Sequence, residues 1–130
     1  MRREAREIAF KLIFESEFNS VIDVELSFDS INDENLLNSE EKAFAFEIYN
    51  SFISNRDEVK NKISLCVKDY EIARIYKVDL ALIELAYCEY KYVKTPLKVV
   101  VNETLELAKK YSTENSSKFL NGVFSELLKD

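Results

Sequence analysis

A single proline and a single glycine punctuate this chain of 130 residues, and both fall in one stretch, Thr95 to Phe124. Hairpins and tight turns lean on those two residue types, so their scarcity argues against an all-β fold and for an all-α one. The stretch itself reads as two helices and a polar joint. Thr95 can cap the first helix, with Pro96 in its first turn, where the missing N–H costs nothing. Leu97, Val100, Val101, Leu105, Ala108 and Tyr111 then recur at helical spacing. Ser112 to Ser117 gathers side chains that compete with helix for backbone hydrogen bonds, and Ser112 or Thr113 is the expected cap of the second helix. Phe119, Leu120, Val123, Phe124, Leu127 and Leu128 stripe that helix. Gly122 inside it costs about 1 kcal/mol relative to Ala, which predicts the close approach of another backbone. Lys109, Lys110 and Lys118 flank the joint and make it a candidate anion-facing corner.

Upstream, residues 3–18 form a helix with Ala5, Ile8, Ala9, Leu12, Ile13 and Phe18 on its apolar stripe and Phe14 beside it. Arg2, Arg3 and Arg6 fall in its first two turns, where positive charge opposes the helix dipole. A sequence tuned for stability alone would place acids there. The guanidinium fork suits phosphate oxygens, so the arginines are candidate phosphate contacts; the alternative is a solvated face balanced by Glu4 and Glu7. A short second helix lies between Asn19 and Asn38, followed by a loop at DENLLNS. Ser39 opens a third helix with Lys42 where a capping box would have Glu or Gln, so an ordinary cap is expected. Phe44, Ala45, Ile48, Tyr49, Phe52 and Ile53 form its stripe. SNRDE breaks the pattern, and a fourth helix carries Val59, Ile63, Cys66 and Val67 to about Asp69. Arg74 to Tyr92 is apolar around most of its circumference, as expected of a helix buried on most sides. Asp79, Glu84 and Glu89 are its polar exceptions and read as its wet edge, with Glu89 as a candidate partner contact.

The length suits one domain with an N-terminal helical layer, about 1–70, and a C-terminal layer, about 71–130, sharing one core. At 47% hydrophobic and 32% charged the chain reads as globular. It has no apolar run of 18 residues and opens on charge, so neither a membrane span nor a signal peptide is expected. Cys66 and Cys88 read as reduced core thiols of a cytoplasmic protein rather than a disulfide. The net charge of −6 is unevenly spread. Residues 1–11 carry +2 and residues 91–118 carry +3, while residues 12–90, with seven positive and seventeen negative side chains, carry −10. Basic ends around an acidic middle fit an RNA face and a separate protein face; helix solvation is the plainer reading.

Nothing in the sequence points to catalysis. Histidine is absent, two distant cysteines make no zinc pattern, and one glycine makes no phosphate loop. A binding module without cofactor, metal or catalytic residues is the expectation.

The run KVVVNETLELAKKYSTENSSKFLNGV resembles the C-terminal signature of the NusB family of bacterial transcription antitermination factors. RREAREIAFKLIFESEF is similar to that family's arginine-rich first helix, and RIYKVDLALIELAYCEYKY to its central helix. The resemblance implies an all-α fold of about seven helices in two orthogonally packed subdomains. It implies an adapter that binds the boxA element of ribosomal RNA transcripts together with NusE, a small-subunit ribosomal protein, within the RNA polymerase antitermination complex. Single-stranded boxA would be held by phosphate contacts and base stacking. By position, the resemblance assigns RNA contact to Arg2, Arg3, Arg6, Glu114, Asn115, Ser116, Ser117, Lys118 and Phe119, and NusE contact to Phe14 and Glu89. Asn102, Asn121 and Gly122 match elements read as structural. The chain departs from the family in its short basic start, in Asn115 where Asp is common, and in Phe14 where Tyr is frequent. Two other functions fit a helical module of this kind: a homodimeric scaffold with a masked RNA face, and a detached accessory of an RNA methyltransferase.

Overall fold

The computed structural model describes residues 2–19, 23–31, 37–67 and 72–129. Among them are seven α-helices: α1 (Arg2–Phe18), α2 (Val24–Ile31), α3 (Ser39–Ser54), α4 (Arg56–Cys66), α5 (Lys77–Lys91), α6 (Leu97–Tyr111) and α7 (Ser116–Leu127). A single 3-10 turn, Ile72–Arg74, precedes α5. The end of α4 expected at Asp69, and residues 33–36 of the DENLLNS loop, lie outside the described residues.

Helix α5 is the post on which the others lean. It packs against α1, α3, α4, α6 and α7, and every residue from Asp79 to Glu89 is buried. One continuous apolar core runs from Ala5 to Leu128 around it. The three acids of α5 are therefore not its wet edge. They sit five residues apart, and at 100° per residue each is turned roughly 140° from the last. They consequently face three different neighbours, and each is met by a donor. Asp79 accepts hydrogen bonds from the Ser112 and Ser116 hydroxyls of the α6–α7 joint. Glu84 takes Lys60 of α4 at 2.7 Å. Glu89 takes Arg6 of α1 in two 2.6 Å bonds. A buried carboxylate without a partner would be strongly destabilising, so these contacts fix the positions of α1, α4 and the joint around the post.

The caps differ from the sequence expectation in instructive ways. Asn38, not Ser39, caps α3. Its side chain accepts from the Glu41 N–H while the Glu41 carboxylate accepts from the Asn38 N–H. The capping box is complete once the helix is counted from one residue earlier. Thr95 does not cap α6, because Pro96 itself holds the N-cap position. Helix α7 starts at Ser116, two to three residues later than a Ser112 or Thr113 cap requires. The Ser116 hydroxyl instead accepts from the Thr113 N–H and donates toward Asp79. Ile53, assigned to the α3 stripe, is 41% exposed. Gly122 is exposed, and a Cβ there would meet nothing within 4 Å among the described residues, so no helix crosses it. Neither cysteine is in a disulfide, and no described helix is long and apolar enough to cross a membrane.

Candidate nucleic-acid interface

The N-terminal half of α1 lies along α6. Arg3 forks onto the Glu103 carboxylate at 2.8 and 2.9 Å, and one turn further on Glu7 accepts from Lys110 at 2.7 Å and from the Tyr111 hydroxyl. The Phe10 and Tyr111 rings, 5.2 Å apart, close the underside of this contact. Residues 103, 107 and 110 share one α6 face, which sets the register between the two helices. Arg3 and Arg6 therefore meet the middle of α6, and the polar joint begins at its end. From Glu103 to Ser112 is nine residues, about 14 Å along the helix axis.

The three arginines do different things. Arg2 is exposed and stacks its guanidinium 4.5 Å from the Phe44 ring centre. Arg3 is exposed at its tip although paired with Glu103. Arg6 is 4% exposed, and Glu89 and Glu103 hold its guanidinium from two sides. Arg6 thus carries the helix packing, while Arg2 and Arg3 present charge to solvent. The sequence cannot separate them, because Arg3 and Arg6 are three residues apart on one face and differ only in how deep the neighbouring helix lets them reach.

Charge along the α1–α6 groove is balanced. Arg3, Lys11, Lys109 and Lys110 are interleaved with Glu4, Glu7, Glu103 and Glu106 in two adjoining cavities. The hydrogen bond and charge of Arg3 hold the Glu103 carboxyl below its ordinary range. Burial raises that of Glu7, but hydrogen bonds from Lys110 and Tyr111 outweigh it and leave the group lowered. Lys110 is raised in turn by its bond to Glu7. These carboxylates already occupy Arg3 and Lys110, whereas Arg2 and Lys118 are exposed and have no carboxylate partner among the described residues. Among the described residues Lys118 makes no ion pair.

At the joint, Glu114, Asn115 and Lys118 are exposed, Ser117 and Phe119 are half-buried, and Ser116 is buried. The Ser112, Thr113 and Ser116 hydroxyls form a cluster closed by Asp79. Phe119 and Asn115 line a groove of about 250 Å³ together with Arg74, Tyr76 and Asp79. Tyr76, half exposed just before α5, and Arg74 beside it were not singled out from the sequence. Their one signal is an aromatic and a cation at the polar entry to an otherwise apolar helix. Phe14 is half-buried between Phe10, at 6.2 Å, and Phe18, which meets it edge-on at 5.0 Å. Phe18, read as part of the α1 stripe, is 66% exposed. Glu89 lies far from solvent under Arg6, not at an exposed end of α5.

Against known proteins, residues 3–129 match the model of the NusB family. The chain is 37% identical over 129 residues to the transcription antitermination protein NusB of Finegoldia magna, covering 98% of this chain and 93% of that one. It is 34% identical to the protein of the same description in Clostridium novyi, with 98% of each covered. Its structure is similar to that of T. maritima NusB, with a TM-score of 0.90 at 31% identity, covering 100% of this chain and 92% of that one. The fold also matches a chain in a complex of antitermination factors NusB and NusE with double-stranded RNA, with a TM-score of 0.85 at 24% identity over 97% and 94% of the two chains.

Proposed function

Because the chain belongs to the NusB family, we propose that it is a cytoplasmic transcription antitermination factor that binds boxA RNA jointly with NusE. It works by assembly and performs no catalytic step. All 130 residues act as one module, its two helical layers joined through α5. The family supports this reading through relatives described as antitermination proteins, and through a fold that recurs in the NusB–NusE complex with RNA.

The observation that carries it is the lie of α6. One helix runs from the opening arginines to the Ser112–Lys118 joint, so a strand laid along it reaches both basic ends of the chain. Arg2, Arg3 and Lys118 supply phosphate contacts, and Phe119 with Asn115 faces a base at the joint groove. Glu114 and Ser117 border that base, and Ser116 holds the joint in shape through Asp79. Arg6 acts by anchoring α1, since Glu89 and Glu103 occupy its guanidinium. The protein partner docks at the aromatic end of α1. Phe14 lies there under the exposed Phe18 ring, an apolar edge that a partner would cover. Glu89 serves that docking by fixing α1 from beneath.

A titration with boxA RNA and a scrambled control, with and without NusE, tests the proposal. Tighter binding of boxA than of the control, strengthened by NusE and weakened by salt, is the expected result. Equal affinity for both RNAs in the presence of NusE would overturn it.

A further inference from the structure

Away from the α1–α6 groove, a cavity of about 500 Å³ opens at the far end of α5. Four separate segments supply its cations. Lys62 comes from α4, Lys91 from the last turn of α5, Lys94 from the α5–α6 connection and Lys129 from the end of α7. Among the described residues no acidic side chain lines it. In a chain of net charge −6, that is a local inversion of sign. Lys62, Lys91 and Lys94 make no ion pair among the described residues. Lys129 pairs with Glu126 at 3.2 Å, both of them exposed. Glu58 accepts from the Tyr92 hydroxyl.

Lysines near a helix C-terminus often just complement its dipole. Here two carbonyls of the last turn of α5 already have partners. Tyr92 and Val93 N–H groups donate to the Cys88 carbonyl, and the Thr95 N–H donates to that of Glu89. Lys62 and Lys129 belong to other helices. Two further features mark a built site. Thr95, in the cavity wall, is 7% exposed, and its hydroxyl has no hydrogen-bond partner among the described residues. Buried hydroxyls are seldom left so, and an oxyanion would satisfy this one. Lys94 has a φ of 68°, the left-handed region that side chains avoid, and such backbone persists where the surrounding structure requires it. Tyr87 and Tyr90 complete the wall with ring surface.

We propose that this cavity is a second anion site, distinct from the boxA interface, which takes a phosphoanion of more than one charge between Lys62, Lys91, Lys94 and the Thr95 hydroxyl. The charge arrives either on a free small anion or on consecutive phosphodiesters of a nucleic-acid strand. The volume lies within the range of small-molecule sites, and point-charge ammonium groups suit phosphate without demanding one orientation.

Calorimetric titration of the full chain with inorganic pyrophosphate, and separately with an oligouridylate that lacks boxA, tests this. The triple variant Lys62→Gln, Lys91→Gln, Lys94→Gln changes exposed side chains only, and circular dichroism checks that it folds. Arg2→Ala with Arg3→Ala is the control for the other interface. The site predicts a loss of about tenfold or more in the triple variant and an unchanged pyrophosphate affinity in the arginine control. A loss confined to pyrophosphate identifies a free anion, and a loss that includes the oligouridylate identifies a strand. No binding in either arm, or equal binding by the triple variant, overturns the proposal. Neither result touches boxA recognition, which is read with a different RNA.

Discussion

Arg6 and Glu89 meet through two parallel hydrogen bonds of 2.6 Å, with the arginine 4% exposed and the glutamate fully enclosed. The pair fastens the start of α1 to the end of α5, and Glu103 of α6 reaches the same guanidinium at 3.5 Å. Three helices are joined at one charge. Removing one partner leaves the other buried and uncompensated, which typically costs about 3–5 kcal/mol. Arg6→Ala and Glu89→Ala should each lower stability by roughly that much in urea denaturation, and the double variant should lose less than the two combined. Additive losses would mean that the two side chains are not coupled.

The outer arginines should behave in the opposite way. Arg2 and Arg3 are exposed, so Arg2→Ala with Arg3→Ala should leave the thermal midpoint nearly unchanged. The same double variant should weaken boxA binding and flatten its salt dependence by a slope of about one to two. A variant that also removes Arg6 would confuse lost contact with lost structure. An unaltered salt slope in the double variant would remove both residues from the RNA interface.

Glu84 gives the stability a distinct pH dependence. Lys60 occupies one of its oxygens at 2.7 Å, the other has no partner among the described residues, and Glu17 shares the same lysine. Burial, followed by the adjacent Glu17 carboxyl, pushes Glu84 up to about 9 from an ordinary 4.5. Between those values the folded chain keeps a proton that the unfolded chain has released, so this group makes stability fall as pH rises. The lowered carboxyls of Glu7, Glu17 and Glu103 act with the opposite sign and lose their contribution as pH falls below about 4.5. Urea midpoints measured between about pH 5 and 9 should decline in the natural chain and decline less in Glu84→Gln. Parallel declines would show that Glu84 is already ionised at pH 5.

The joint depends on Ser116. Its hydroxyl contacts Asp79, Ser112 and Thr113 at once, and its removal leaves a buried carboxylate short of a donor. Ser116→Ala should cost about 1–3 kcal/mol. Amide hydrogen exchange at Thr113 and Ser116 should accelerate, since the Thr113 N–H loses its acceptor. Unchanged exchange there would show that the joint keeps its shape without the hydroxyl.

Gly122 offers a gain. It lies in an exposed helix face with open space where a side chain would go, so Gly122→Ala should stabilise the free protein by about 0.5–1 kcal/mol. If the same variant binds NusE or RNA less well, the glycine is kept for a partner's approach rather than for the fold.

The sequence by itself determined the helices. Apolar residues recurring at helical spacing, with almost no glycine or proline to interrupt them, are a local signal, and α1, α5, α6 and α7 lie where that signal puts them. The largely apolar circumference of α5 likewise announced the central post, because a helix coated on most sides has to be surrounded. Depth of polar groups was decided only by tertiary structure. Asp79, Glu84 and Glu89 look like a solvated edge until five-residue spacing aims them at three different helices, each bringing a donor from elsewhere in the chain. Arg3 and Arg6 look equivalent until α5 and α6 close over one and not the other. Such pairings join residues separated by 24 to 100 positions. No window of local sequence holds both partners, and the charge of each is informative only once the other is beside it.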